Sequence, residues 1–115
     1  MPRGVVAHVT AAEPAAWRKA VRNLGNLLDA GEPAAGELAV IVHGDALGLV
    51  LEGSPVAAEL AELLERGVSV RACENTLAGR GATAEDLLPG VDVVPSGVAE
   101  AVRLQREGRA YLKLP

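Results

Sequence analysis

The chain reads as an α/β protein built on a mostly parallel sheet of about five strands, with helices on both faces. Three observations carry that expectation. Short runs rich in β-branched residues (GVVAHVT, ELAVIVH, VSVRA, VDVV, AYLKL) alternate with stretches whose apolar residues recur at helical spacing. One run, LAVIV, is apolar throughout, as a strand covered on both faces must be. Gly or Pro marks most of the junctions between these segments. Strands separated by helices need crossover connections, and crossovers make neighbouring strands parallel.

The elements follow in order. Gly4 to Thr10 predicts the first strand, and Ala11 to Pro14 a turn with Pro14 at the first helical position. Trp17, Val21, Leu24, Leu27 and Leu28 then form an apolar stripe, ended by Gly31. Glu37 to His43 is the second strand. Asp45 to Gly53 is either a short helix or a loop. Ser54 and Pro55 predict an N-cap and first turn for a helix through Val56, Leu60, Leu63 and Leu64, closed by Gly67. Val68 to Ala72 is the third strand, and Cys73 to Thr83 reads as a loop. Thr83 and Asp86 resemble a capping box ahead of Pro89-Gly90. Val91 to Val94 is the fourth strand, Ser96 caps a last helix running to Gly108, and Ala110 to Leu114 closes the sheet. The strand order is not encoded in any of this.

Composition narrows the possible functions. The 115 residues suit one domain, and half of them are hydrophobic, which excludes disorder. With no Phe and only Trp17 and Tyr111 as large rings, the core must be made of Val, Leu and Ala. Eleven basic residues against fifteen acidic ones give a net charge of −4, and the arginines are scattered, so no basic face is available for nucleic acid. No apolar run approaches the roughly 20 residues that span a bilayer. The short apolar start falls below the about 7–15 residues of an export signal, so a cytoplasmic protein with a free Cys73 thiol is expected. One Cys and two His are too few for a structural zinc site, and no cofactor motif is present.

In open α/β sheets ligands bind at the carboxyl ends of the strands. Here those ends carry Thr10, His43-Gly44, Cys73 and Pro95-Ser96. Cys73 opens the turn Glu74-Asn75-Thr76, whose N–H groups can stabilise a thiolate. The plainer alternative is a buried cysteine acting as a small hydrophobe. Glu74 works against a thiolate, and Arg80 could offset it if the loop folds back. His43 can serve as acid, base or ligand contact, or can simply bond a loop carbonyl. His8, inside the first strand, reads as a satisfied core histidine. Asn23 and Asn26 belong to a helix surface, Asn75 to the turn, and Thr76 to a cap or the pocket wall. The run Ala46 to Leu51 suggests a subunit interface, with a pocket wall or a buried helical turn as the alternatives.

The stretches AVIVHG, LEGSPVAAEL, RGVSVRACENTLAGRG and EDLLPGVDVVPSGVAEAVRLQREGRAYLK together resemble the DsrE/DsrF-like family, from VVAHV to YLK. The most specific part is Cys73-Glu74-Asn75-Thr76-Leu77 followed by DLLPGV and VVPSGV. The resemblance implies a three-layer α/β/α sandwich spanning the chain as one domain, in homotrimers, homohexamers or heterohexamers. In the family's sulfur-relay members a cysteine after a central strand carries sulfur as a persulfide, and Cys73 corresponds to it by position. The expected function is thus a sulfur carrier or sulfurtransferase-like protein, with donor and acceptor proteins as partners and no cofactor. His43, Gly44, Asn75 and Thr76 would bind or polarise the sulfur. The alternative is a non-catalytic homo-oligomer that holds a small ligand, with Cys73 structural.

Overall fold

The computed structural model describes residues 4–115 and contains one five-stranded sheet in the order β4-β3-β2-β1-β5, parallel throughout. The strands are β1 (Val5–Val9), β2 (Leu38–Val42), β3 (Ser69–Cys73), β4 (Asp92–Val94) and β5 (Ala110–Lys113). Helices α1 (Pro14–Asp29), α2 (Ala57–Glu65), α3 (Glu74–Gly79) and α4 (Gly97–Arg106) alternate with them. The first three connections each step to the next strand. The fourth, α4, returns across the sheet and sets β5 beside β1.

The two faces differ in what covers them. One face, with Ala7, Val9, Val40, Val42, Val70 and Ala72, packs against Trp17, Val21, Leu24, Leu60, Leu63 and Leu77 from α1, α2 and α3. Each fully buried Leu or Val there contributes about 1.5–3 kcal/mol of transfer free energy. The opposite face has a much smaller core of Val6, Ala39 and Ile41 under Ala101 and Leu104 of α4. β2, the middle strand, is buried along its whole length, as its unbroken apolar run requires.

Four local expectations give way. The helix after Ser54-Pro55 begins at Ala57 with Val56 as its cap, and the Ser54 hydroxyl accepts from the Val56 N–H in a preceding turn (3.2 Å). Cys73 to Thr83 is not all loop, because α3 starts immediately after Cys73. Asn75 lies in that helix, and no non-glycine residue described has a positive φ, so the turn role assigned to it falls away. The run Ala46 to Leu51 is largely interior: Gly44–Leu49 forms a 3₁₀ segment that buries Ala46, Leu47 and Leu49 in the larger core. Gly48 is required there, since a Cβ at that position would stand 2.6 Å from the Trp17 ring.

Candidate functional site

Cys73 ends β3 and caps α3, so its sulfur faces the first N–H groups of that helix. Helix N-termini leave their first four N–H groups without intrahelical partners. Asn75 and Thr76 supply two of them to the sulfur, and Gly97, the first residue of α4, supplies a third. The Thr76 hydroxyl adds a fourth hydrogen bond. Burial pushes the thiol pKa up, since only 4% of the residue is exposed. The hydrogen bonds from the Thr76 hydroxyl and from the Gly97, Thr76 and Asn75 N–H groups outweigh it and hold the thiol below its ordinary value. Glu74, the first residue of α3, is exposed.

The neighbouring loop is tied to the same helix. The Gly44 N–H donates to the Thr76 hydroxyl oxygen (3.0 Å), so that one hydroxyl joins β2's loop to the thiol. Arg80, instead of reaching the sulfur, bonds the Gly44 carbonyl (3.5 Å) and the Asp45 carboxylate (3.3 Å). Gly97 brings α4 into contact: a Cβ there would lie 3.2 Å from the Cβ of His43 and 3.3 Å from that of Cys73. His43 and Cys73 therefore start from the same small volume.

A chain of polar rings leads away from it. His43 Nδ1 and His8 Nε2 are 2.7 Å apart, and His8 Nδ1 is 2.8 Å from the Tyr111 hydroxyl. The two imidazole planes are 10° apart with centroids 4.7 Å apart, so the rings meet edge to edge through that bond. The plainer alternative for His43, a bond to a loop carbonyl, gives way to this bond with His8. His8 is satisfied, as anticipated, but is only partly buried and points to the α4 face. Burial, the adjacent His43 and the Lys113 ammonium lower its pKa to about 4, so it stays neutral near pH 7. Lys113 is held by the Thr10 hydroxyl (2.9 Å) and the Leu114 carbonyl (2.6 Å).

The structure thus brings Cys73, His43, Gly44, Asn75 and Thr76 to one edge of the sheet. It adds Gly97, His8 and Tyr111, for which the sequence offered no signal beyond the polar type of two of them. Asn23 and Asn26 lie exposed on α1, as anticipated. Among the described residues no three His, Cys, Asp or Glu side chains gather as metal ligands. No described helix is long and apolar enough to cross a membrane. A cleft of about 340 Å³ between α1 and α2, lined by Arg18, Arg22, Glu59, Glu62 and Arg66, lies on the far helical layer and shares no residue with this site.

No curated protein matches the chain. Among solved structures it is similar to the protein of unknown function MTH1491 from Methanobacterium thermoautotrophicum, at 34% identity and a TM-score of 0.89. That match covers 95% of this chain and 96% of the other. YchN of E. coli (18% identity, TM-score 0.79, covering 96% and 99%) has the same fold. So does BT1422 of Bacteroides thetaiotaomicron, a conserved protein of unknown function (19%, 0.75, covering 95% and 93%). The DsrE/DsrF-like family matches residues 6–114, and by that match, together with the 34% identity to MTH1491 over nearly the whole length of both, this chain belongs to that family.

Proposed function

We propose that the protein is a cytoplasmic sulfur carrier or sulfurtransferase-like protein that holds sulfane sulfur on Cys73. The observation that carries this is the set of three N–H groups and one hydroxyl directed at the Cys73 sulfur. They favour a thiolate at a position where a thiol would otherwise be a mere core residue. The family's relation to sulfur relay supports the same choice.

The chemistry is a displacement at sulfur. The Cys73 thiolate attacks the terminal sulfur of a donor persulfide, forming a new S–S bond while the donor's own S–S bond breaks. The bonding pair leaves with the donor thiolate, and Cys73 becomes a persulfide. An acceptor thiolate takes the terminal sulfur by the reverse step and regenerates Cys73. Asn75, Thr76 and Gly97 steady the negative sulfur, and His43 and Gly44 border it. Donor and acceptor are proteins presenting thiols. The carrier acts as a homotrimer or homohexamer, for which the exposed Val98 and Val102 on the outer side of α4 offer apolar surface.

Intact mass after brief exposure to polysulfide tests this, native chain beside Cys73→Ser. One sulfur gained by the native chain alone, and removed by a reductant, is the expected result. Equal gain by the variant sinks the proposal. The second reading, a homo-oligomeric small-ligand-binding module with a structural Cys73, draws on the 4% exposure of that residue. A thiol that reacts with iodoacetamide only after denaturation would favour it.

A further inference from the structure

The rings joined at the edge of β1, β2 and β5 have no part in holding the sulfur, and three polar side chains in line need a reason. Strand order supplies one. Because β5 returns to the far side of β1, the sheet changes winding direction between those two strands, and such switch points are where α/β folds place ligands. Tyr111 and His8 stand on these two strands, His43 follows β2, and Cys73 ends β3. The chain of contacts therefore rises from Tyr111, level with Val6 on the α4 face, through His8 to His43 at the carboxyl edge beside the thiol.

From this geometry, with the Cβ atoms of His43 and Cys73 both within 3.3 Å of the place a Gly97 Cβ would take, we infer that His43 is the acid–base partner of Cys73, and that His8 and Tyr111 are positioning residues that hold its ring. The inference rests on the thiol chemistry proposed above. This role takes the tautomer in which His8 Nδ1–H donates to the Tyr111 oxygen and His8 Nε2 accepts the Nδ1–H of His43, an arrangement that the 2.8 Å and 2.7 Å separations fit. His43 is then left with a lone pair on Nε2. The thiol proton passes from Cys73 Sγ to His43 Nε2, giving a thiolate and an imidazolium. The imidazolium keeps its Nδ1–H on His8, and its new proton returns to the thiolate released by the donor.

The surroundings are suited to this division of roles. His8 stays neutral beside Lys113 and so remains an acceptor when His43 gains charge. Lys113, whose ammonium acts on His8, is engaged by Thr10 and Leu114. A base whose second nitrogen is held by a third group is the arrangement by which nucleophile–base pairs are oriented in general.

The test is the pH–rate profile of Cys73 alkylation by iodoacetamide, for the native chain, His8→Phe and Tyr111→Phe. A phenylalanine at position 8 keeps a ring of similar size but accepts no hydrogen from His43, and Tyr111 is exposed enough to be changed without unfolding. The expected result is a rising limb displaced upward by about one pH unit in His8→Phe, a tenfold slower reaction near pH 7, and about threefold in Tyr111→Phe. All three profiles converge well above the ordinary thiol pKa of about 8.5, where hydroxide removes the proton unaided. Overlaid profiles, or an equal loss at every pH, would overturn the assignment, the second because it marks a merely structural role. Sulfur loading measured on the same proteins separates the two proposals. A chain that shows the displaced limb but never gains sulfur retains the acid–base assignment and loses the carrier function. Loading with overlaid profiles does the reverse.

Discussion

The backbone N–H of Gly97 donates to the sulfur of Cys73, and a Cβ on Gly97 would stand 3.3 Å from the Cβ of Cys73. The start of α4 approaches β3 that closely only because residue 97 has no side chain. Ile41 and His43 close the remaining sides at 3.2 Å each. None of these three atoms is the free end of a flexible side chain, so none can move aside cheaply. Gly97→Ala is expected to shift α4 outward, cost about 1–3 kcal/mol in urea unfolding and slow Cys73 alkylation severalfold. Unchanged alkylation would mean that the Gly97 N–H does not act on the thiol.

Thr76 has two duties, one toward Cys73 and one toward the Gly44 N–H. Thr76→Val keeps the shape and removes both hydrogen bonds. Stability should fall by about 1–2 kcal/mol, because the partly buried Gly44 N–H loses its acceptor. The rising limb of the alkylation profile should also move to higher pH, the thiol having lost a donor that favours its charged form. A stability loss with an unmoved limb would confine Thr76 to bracing the loop.

Acid stability is governed in part by the first turn of α4. Glu100 is held below the usual carboxylate range by hydrogen bonds from Arg103, against an opposing effect of burial, with Arg71 of β3 as a further partner. A carboxyl whose folded pKa lies below its unfolded value of about 4.3 stabilises the fold fully above that pH. The contribution is lost as pH falls through the folded value. Glu100→Gln should therefore lower the melting temperature at pH 7 and flatten its decline below about pH 4.3. About 1–3 kcal/mol at neutral pH suits the loss of charged hydrogen bonds at a partly buried site. Parallel melting curves for the two proteins across that range would contradict this account.

The sole tryptophan reports on the loop after β2. Trp17 donates from its indole N–H to the Ala11 carbonyl (2.7 Å) and brings the outer edge of its ring, at Cη2, against Gly48. A methyl group at position 48 would collide with the ring at 2.6 Å. Gly48→Ala should destabilise the protein by about 1–3 kcal/mol, with a shift in tryptophan emission that marks the displaced ring. Native stability with unaltered emission would show that the ring has room to turn.

Much of this fold is legible in the sequence because its signals are local. The LAVIV run can only be a strand covered on both faces, and Ser96 and the Thr83–Asp86 pair cap as their types suggest. Helix α3 is hidden because it is six residues long, contains Gly and Asn, and buries only Leu77. Apolar character alone does not distinguish an interior from an interface, so the Ala46–Leu51 run was ambiguous until Trp17 was seen against it. At the site, Cys73 and Thr76 are close in sequence and could be read together. His8 could not be joined to Tyr111, which lies 103 residues away and meets it only through the strand order.

That span has a consequence for how the molecule is made. The strands β1 to β4 come together in the order of synthesis, each through a contact with its predecessor, whereas β5 must find the first strand of all. Pairings this distant in sequence carry the largest loop-closure cost and form late. The nest of N–H groups around Cys73 needs only β3, α3 and the start of α4. The Tyr111 end of the ring chain needs β5 in place. A nascent or refolding chain therefore holds a cradled thiol before its chain of rings is complete, and the contact between Tyr111 and His8 forms last.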